Sequence, residues 1–227
     1  MPDSSPELYV SEEPGLVVGE LLADQATRGG SIVLTGGHTP AAAYRRAAEL
    51  QPDWSRATVW WGDERCVPPE DERSNFLLAK LNLLDLLDRH PHNVHRIRGE
   101  LQPADAAGEL HHALHEVQLD FMLLGLGPDA HIASLFPGKP QLDVENRRAT
   151  SGPAGLDPWV DRVTMTMPTI LSAGRLVLLV TGADKAQAVE RAFGGEITRD
   201  APASLLRLAP IPVEIYADPA AAARIAP

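Results

Sequence analysis

The chain has 227 residues, enough for one large α/β domain or two small ones and for a sizeable buried core. Lysine and arginine number 20 against 31 aspartates and glutamates, a formal net charge of −11. That balance argues against a nucleic-acid or anionic-membrane partner, while leaving room for a small anion held by local cations and backbone N–H groups. The single cysteine, Cys66, allows no internal disulfide and fits a reducing compartment. No apolar run approaches the roughly 18–20 residues that span a bilayer. The acidic start, Met1 to Glu13, lacks the pattern of a secretion signal. A cytoplasmic protein is therefore expected.

In chain order, Gly15 to Arg28 has helical apolar spacing and is stopped by Gly29-Gly30. Ser31 to Thr35 reads as a β-branched strand running into the turn Gly36-Gly37-His38-Thr39. Pro40 then opens a helix to about Glu49, with Thr39 in position to cap it. Ala57 to Trp61 reads as a second strand, followed by a charged loop from Gly62 to Pro69. Ser74 would cap a helix with Phe76, Leu77, Leu81, Leu84 and Leu87 on its apolar face. Val94 to Ile97 is a short strand and Pro103 to Gln118 an Ala-rich helix. Asp120 to Leu124 is an apolar strand ending in glycine. Lys139 to Pro158 reads as a long loop. Arg162 to Met167 alternates like a strand, Pro168 to Ala173 fits a short helix, and Leu176 to Val180 a buried strand. A helix from Ala183 to Ala192, the stretch Pro202 to Leu206 and a last strand, Val213 to Tyr216, complete the core. Strands alternating with helices imply a mainly parallel sheet covered on both faces, with its strand ends brought to one edge.

Several features at that edge could carry chemistry. The Gly36-Gly37-His38-Thr39 turn opens a helix, which suits a phosphate; it lacks the spacing of a P-loop, and a simple tight corner explains it as well. Asp63-Glu64-Arg65 puts three charges just past a buried strand, although internal ion pairs in a solvated loop give the same pattern. Trp60 and Trp61 read as core. Gly125 to Ala130 matches G-x-G-x-x-A, but Phe136-Pro137-Gly138 breaks the chain before the helix that a dinucleotide site needs. His131 follows that turn with Asp129 two residues before it. An imidazole titrates near neutrality and suits general-base work. His111 and His115 sit at i, i+4 without an evident third metal ligand, and a solvated helix face accounts for them. Cys66 lies in no nucleophile pattern, and no G-x-S-x-G elbow occurs. Arg162 and Lys185 stand at element edges, Lys185 against the dipole preference of a helix start.

Four blocks, taken together, carry a resemblance. They are Leu34 to Pro40; Trp61 to Pro68 with Asp71 to Asn75; Leu124 to Gly138; and Arg162 to Thr166 with Val180 to Lys185. In this order and spacing the chain resembles the 6-phosphogluconolactonase family over nearly its whole length. The resemblance implies a single domain over residues 1–227. It implies a three-layer α/β/α, Rossmann-like fold with a mostly parallel sheet, related to glucosamine-6-phosphate deaminase. It further implies hydrolysis of 6-phospho-D-glucono-1,5-lactone with neither metal nor organic cofactor. A monomer or weak homodimer is expected.

Under that resemblance His131 would take a proton from water, and Asp129 or Asp63 would orient the histidine or the sugar hydroxyls. Arg65 would stabilise developing negative charge or bind substrate. Gly36, Gly37, His38 and Thr39 would cradle the 6-phosphate, with Arg162 or Lys185 as counter-charge. The family usually has glycine where this chain has Ala130, and often serine where it has His38. If position 130 needs a positive φ, alanine there is strained. The alternatives are a deaminase or isomerase of the same fold, and a non-catalytic sugar-phosphate-binding domain. The tail Ile132 to Gly138 resembles the lactonase rather than the deaminase. The roughly 13 residues before the first helix are too few for a DNA-binding helix-turn-helix.

Overall fold

The computed structural model describes residues 5–225. Residues 1–4, the opening of the acidic Met1–Glu13 stretch, and residues 226–227 lie outside the described residues. The strands among the described residues are β1 (Glu7–Val10), β2 (Gly30–Leu34), β3 (Ala57–Trp61), β4 (Asp63–Arg65), β5 (Asn93–His95), β6 (Phe121–Leu124), β7 (Ala149–Gly152), β8 (Arg162–Met165), β9 (Leu176–Val180) and β10 (Val213–Ala217). The helices are α1 (Pro14–Arg28), α2 (Pro40–Leu50), α3 (Asn75–Asn82), α4 (Pro103–Ala113), α5 (Met167–Leu171), α6 (Ala186–Val189) and α7 (Pro219–Ala222).

Seven strands form one parallel sheet in the order β1-β10-β9-β6-β2-β3-β5. From β2 the chain steps outward to β3 and β5, then returns to β6 and steps the opposite way to β9 and β10. With this strand order the right-handed crossover rule puts α1, α2 and α3, which touch one another in series, over one face and α4, α5 and α6 over the other, the expected three layers. The strands β6 and β9 are apolar at every position and buried throughout, as a parallel sheet covered on both faces requires. Trp54, Trp60, Trp61 and Tyr44 are buried in the same core. The order reverses between β2 and β6, and that reversal opens a crevice at their carboxyl ends.

Several local expectations need correction. The Gly62 to Pro69 stretch is not all loop: Asp63–Arg65 is a strand, in a separate antiparallel sheet ordered β4-β8-β7. Residues 139–158 likewise contain β7 and a short 3-10 turn at Pro140–Asp143. Their hydrogen-bond partners are distant in sequence, so no local periodicity announces them. The strand β1 was hidden in acidic sequence; it pairs with β10 at the sheet edge, where Tyr9 stacks on Tyr216 with ring centroids 4.8 Å apart.

Ser74 caps α3 as expected, accepting from the Leu77 N–H at 3.2 Å, but the helix ends at Asn82. It buries Asn75 and Ala79 and leaves Leu81 exposed. The helix α4 ends at Ala113, five residues short of the expected end. Thr39 has helical backbone angles and makes no cap hydrogen bond. The expected helix from Ala183 to Ala192 is a 3-10 turn, one α turn and then a π segment, Glu190–Gly194.

Candidate active site

The first wall of the crevice comes from loops at the carboxyl ends of the parallel sheet. Tyr44, fully buried on α2, fixes the exit of β2: its hydroxyl donates to the Thr35 carbonyl at 2.6 Å and accepts from the Thr35 N–H at 2.9 Å. Gly37 then turns with φ of +92°, a conformation L side chains rarely adopt. The Thr39 hydroxyl, free of capping, lies 3.4 Å from the Thr181 hydroxyl at the end of β9. Lys185 follows in the short turn Ala183–Lys185, with its ammonium 3.5 Å from Asp184. The Gly36–Thr39 turn and Lys185 thus face the same space, although the two threonines that join them are 142 positions apart in the chain.

The loop after β6 carries the histidine. No helix follows Gly125, so the dinucleotide match is only a tight turn, closed by the Gly127 N–H on the His131 carbonyl at 2.9 Å. A Cβ at Gly127 would lie 2.0 Å from His131 Nδ1, so only glycine lets the imidazole rest on this backbone. The Phe136 ring also touches it, centroids 4.3 Å apart. Asp129 Oδ1 sits 2.5 Å from His131 Nδ1 and accepts the His131 backbone N–H at 3.2 Å. Burial acts to raise the Asp129 carboxyl, but the hydrogen bonds and charge of His131 outweigh it and hold it below the ordinary carboxylate value. An ionised carboxylate can only accept, so Nδ1 carries the hydrogen and a neutral ring keeps its lone pair on Nε2. Ala130 has φ of +66° and is fully buried, so the position does demand a positive φ and the alanine is strained. The His131–Asp129 pair forms nonetheless.

The second wall is the small sheet. Strand alternation points Asp63 and Arg65 into the cleft and Glu64 away from it. Asp63 does not reach His131. Its Oδ2 accepts from the Ser134 hydroxyl at 2.6 Å and its Oδ1 from the Asn75 amide at 3.2 Å. Arg65 donates to the Arg73 carbonyl at 2.5 Å. Arg162 stands opposite Arg65 in the β4–β8 register, and its guanidinium donates to the Val160 carbonyl at 2.7 Å. Burial first, then the neighbouring Arg65 charge, lower the Arg162 guanidinium from its ordinary value, against the opposing pull of Asp63.

Together these walls enclose a cleft of about 700 Å³. Gly36, Gly37, His38, Thr39, Asp63, Arg65, His131, Arg162 and Lys185 line it. Asp129 is the one expected site residue that does not; it stands behind His131. Asn75 and Ser134, which hold Asp63, were missed in sequence, and only their places beside the Ser74 cap and His131 hinted at them. Cys66 is half-buried outside the cleft, its thiol pushed up to about 11 by burial. His111 accepts the Arg148 N–H at 3.1 Å, a structural use. Among the described residues no three His, Cys, Asp or Glu side chains gather to hold a metal ion.

A doubly wound sheet with its cleft at the switch point, walled by a glycine turn and a histidine–aspartate pair, places the protein in the glucosamine-6-phosphate deaminase-like class of α/β proteins. The family model described as glucosamine-6-phosphate isomerases/6-phosphogluconolactonase matches residues 17–211, and the chain belongs to that family. It is 34% identical over 218 residues to a 6-phosphogluconolactonase of Streptomyces coelicolor, covering 87% of this chain and 84% of that one. It is 35% identical over 219 residues to a 6-phosphogluconolactonase of Mycobacterium tuberculosis, covering 89% and 88%. The solved structure of 6-phosphogluconolactonase from Trypanosoma brucei superposes with a TM-score of 0.84 at 26% identity, covering 98% of this chain and 99% of that one. A monomeric glucosamine-6-phosphate deaminase superposes with a TM-score of 0.83 at 23% identity, over 97% and 99%, a likeness of fold.

Proposed function

We propose that the chain is a 6-phosphogluconolactonase, hydrolysing 6-phospho-D-glucono-1,5-lactone to 6-phosphogluconate in the oxidative pentose phosphate pathway. The observation that carries this reading is His131, backed by Asp129, sharing one cleft with the Gly36–Thr39 turn and Lys185. A lactone carbonyl is already electrophilic, so water and a general base suffice and no covalent nucleophile is needed.

Asp129 holds the Nδ1–H tautomer, and Nε2 of His131 takes a proton from water as its oxygen bonds to the lactone carbonyl carbon. Arg65 stabilises the oxyanion that develops there, with Arg162 beside it. The ring C–O bond then breaks, and His131 returns its proton to the departing ring oxygen, leaving a carboxylic acid that ionises and a hydroxyl. The 6-phosphate lies in the Gly36-Gly37-His38-Thr39 turn. The contact between Thr39 and Thr181 brings the Lys185 turn to that same end, which favours Lys185 over Arg162 as the phosphate's counter-charge. Asp63, fixed by Ser134 and Asn75, is placed to accept from a sugar hydroxyl.

We read residues 1–227 as one such domain, cytoplasmic and monomeric or weakly dimeric. No helix among the described residues is long and apolar enough to cross a membrane. The test is the decay of freshly prepared lactone, followed by NMR or pH-stat against an enzyme-free blank, beside ammonia release from glucosamine 6-phosphate. Accelerated lactone decay without ammonia is the expected result. Ammonia release without lactone decay would transfer the site to the deaminase chemistry, and neither activity would leave a binding domain.

A further inference from the structure

The mechanism makes no use of Glu64, yet it is among the most deeply buried charged residues described, 2% exposed. Its carboxyl group collects four donors. Oε1 accepts the backbone N–H of Arg65 at 2.8 Å and of Asn75 at 2.7 Å; Oε2 accepts the N–H of Phe76 at 2.8 Å and the Ser74 hydroxyl at 3.1 Å. One side chain therefore ties the strand that presents Arg65 to the first residues of α3, where Asn75 begins. Asn75 in turn donates to the Asp63 carbonyl at 2.9 Å and carboxylate at 3.2 Å. Those two acceptors fix which end of its amide is nitrogen. Asn75 Oδ1 is then buried with no hydrogen-bond partner and lies against the phosphate turn, 1.7 Å from where a Cβ of Gly36 would be.

Three elements meet here: β4, which carries Asp63 and Arg65, α3, which carries Asn75, and the turn after β2, which carries Gly36. We propose that Glu64 is a positioning residue for the reaction, holding Arg65 and Asn75 at the separation the cleft needs. This rests on the lactonase reading for its kinetic consequence but not for its geometry. A buried acceptor without a partner is unfavourable, because nothing replaces the water it gave up. Asn75 endures one because its backbone N–H is fixed on Glu64 and its amide on Asp63.

Glu64→Gln tests this. Glutamine keeps the shape and one carbonyl oxygen, but its NH₂ meets the Arg65 and Asn75 N–H groups in one orientation and the Phe76 N–H in the other, where the Ser74 hydroxyl can turn to accept. We expect it to fold and to lower kcat about tenfold or more, since a small misplacement of a reacting group has effects of that size. In an Arg65→Ala background the same substitution should lower kcat by a clearly smaller factor, because part of what it misplaces is gone. A purely structural role would lower the melting temperature and leave both factors equal. Should Glu64→Gln melt below the assay temperature, Ser74→Ala, which removes one donor and keeps the carboxyl, enters the same cycle. Wild-type kcat in the substituted enzyme, or an undiminished loss in the Arg65→Ala background, overturns the proposal. If the wild-type protein does not hydrolyse the lactone, the functional reading fails separately. Crystal structures of wild type and Glu64→Gln then decide the geometry, and an unmoved Arg65 and Asn75 overturn it.

Discussion

The two walls of the cleft are built by different means. One is made of loops leaving a parallel sheet: the turn after β2, the histidine loop after β6 and the lysine turn after β9. Its shape depends on backbone, on a positive φ at Gly37 and on an imidazole resting against Gly127. The other is a three-stranded antiparallel patch whose contribution is charge, Asp63, Arg65 and Arg162, held by a buried carboxyl and a web of side-chain hydrogen bonds. In the proposed reaction the first wall would supply a base and an anion cradle, and the second cations and an acceptor. A sheet edge alone gives oriented N–H groups and helix starts; placing paired guanidinium groups required a second sheet to face it.

This contrast can be tested from the largest effect downward. His131→Ala removes the base from the first wall and should lower kcat by about 10²–10⁴-fold with the fold intact, read by lactone decay and circular dichroism. Gly127→Ala leaves every charge in place but drives a methyl into the imidazole. A loss on the order of 10² in kcat is expected, with KM little changed, since a displacement of about 1 Å has that effect; an unaltered kcat would show that the ring has other room. Lys185→Ala should act chiefly on KM, raising it roughly tenfold or more, as loss of a charge-assisted phosphate contact does. An unchanged KM would move the phosphate to Arg162 and hence to the second wall.

Two smaller effects concern stability. Burial pushes the Glu64 carboxyl up to about 7, against the pull of its backbone donors, from an unfolded value near 4.5. The folded chain therefore binds more protons than the unfolded chain within that window. The Glu64 contribution is complete below about pH 4.5 and is lost as pH rises through about 7. Thermal melts of wild type and Glu64→Gln across this range should show the falling component only in the wild type. Ala130→Gly relieves a left-handed alanine and should raise the melting temperature by about 1–3 °C, net of the backbone entropy glycine adds in the unfolded chain.

The contrast between the walls is also a contrast in what could be read from sequence. Glycine turns after apolar strands marked Gly36–Thr39 and the Gly125–His131 loop. Charges at element edges marked Asp63, Arg65, Arg162 and Lys185, and the resemblance gave them roles around those turns. The relation among these groups was not legible. Asp129 and Asp63 stood equal as partners for the histidine until the fold gave His131 to Asp129 and Asp63 to Ser134 and Asn75. Its place before Pro40 predicts that Thr39 caps α2, whereas the end of β9, distant in sequence, draws its hydroxyl toward Thr181.

By itself, the sequence determined the alternation of strands and helices, the buried parallel sheet and the glycine turns that open its edge. These follow from apolar periodicity and from the few residues that tolerate positive φ. Only the tertiary structure decided that Asp63–Arg65 is a strand, that its alternation sends Glu64 behind the cleft, and that Ala130 occupies a left-handed position. Each of these depends on hydrogen bonds or packing between residues far apart in the chain, on which local pattern carries no information.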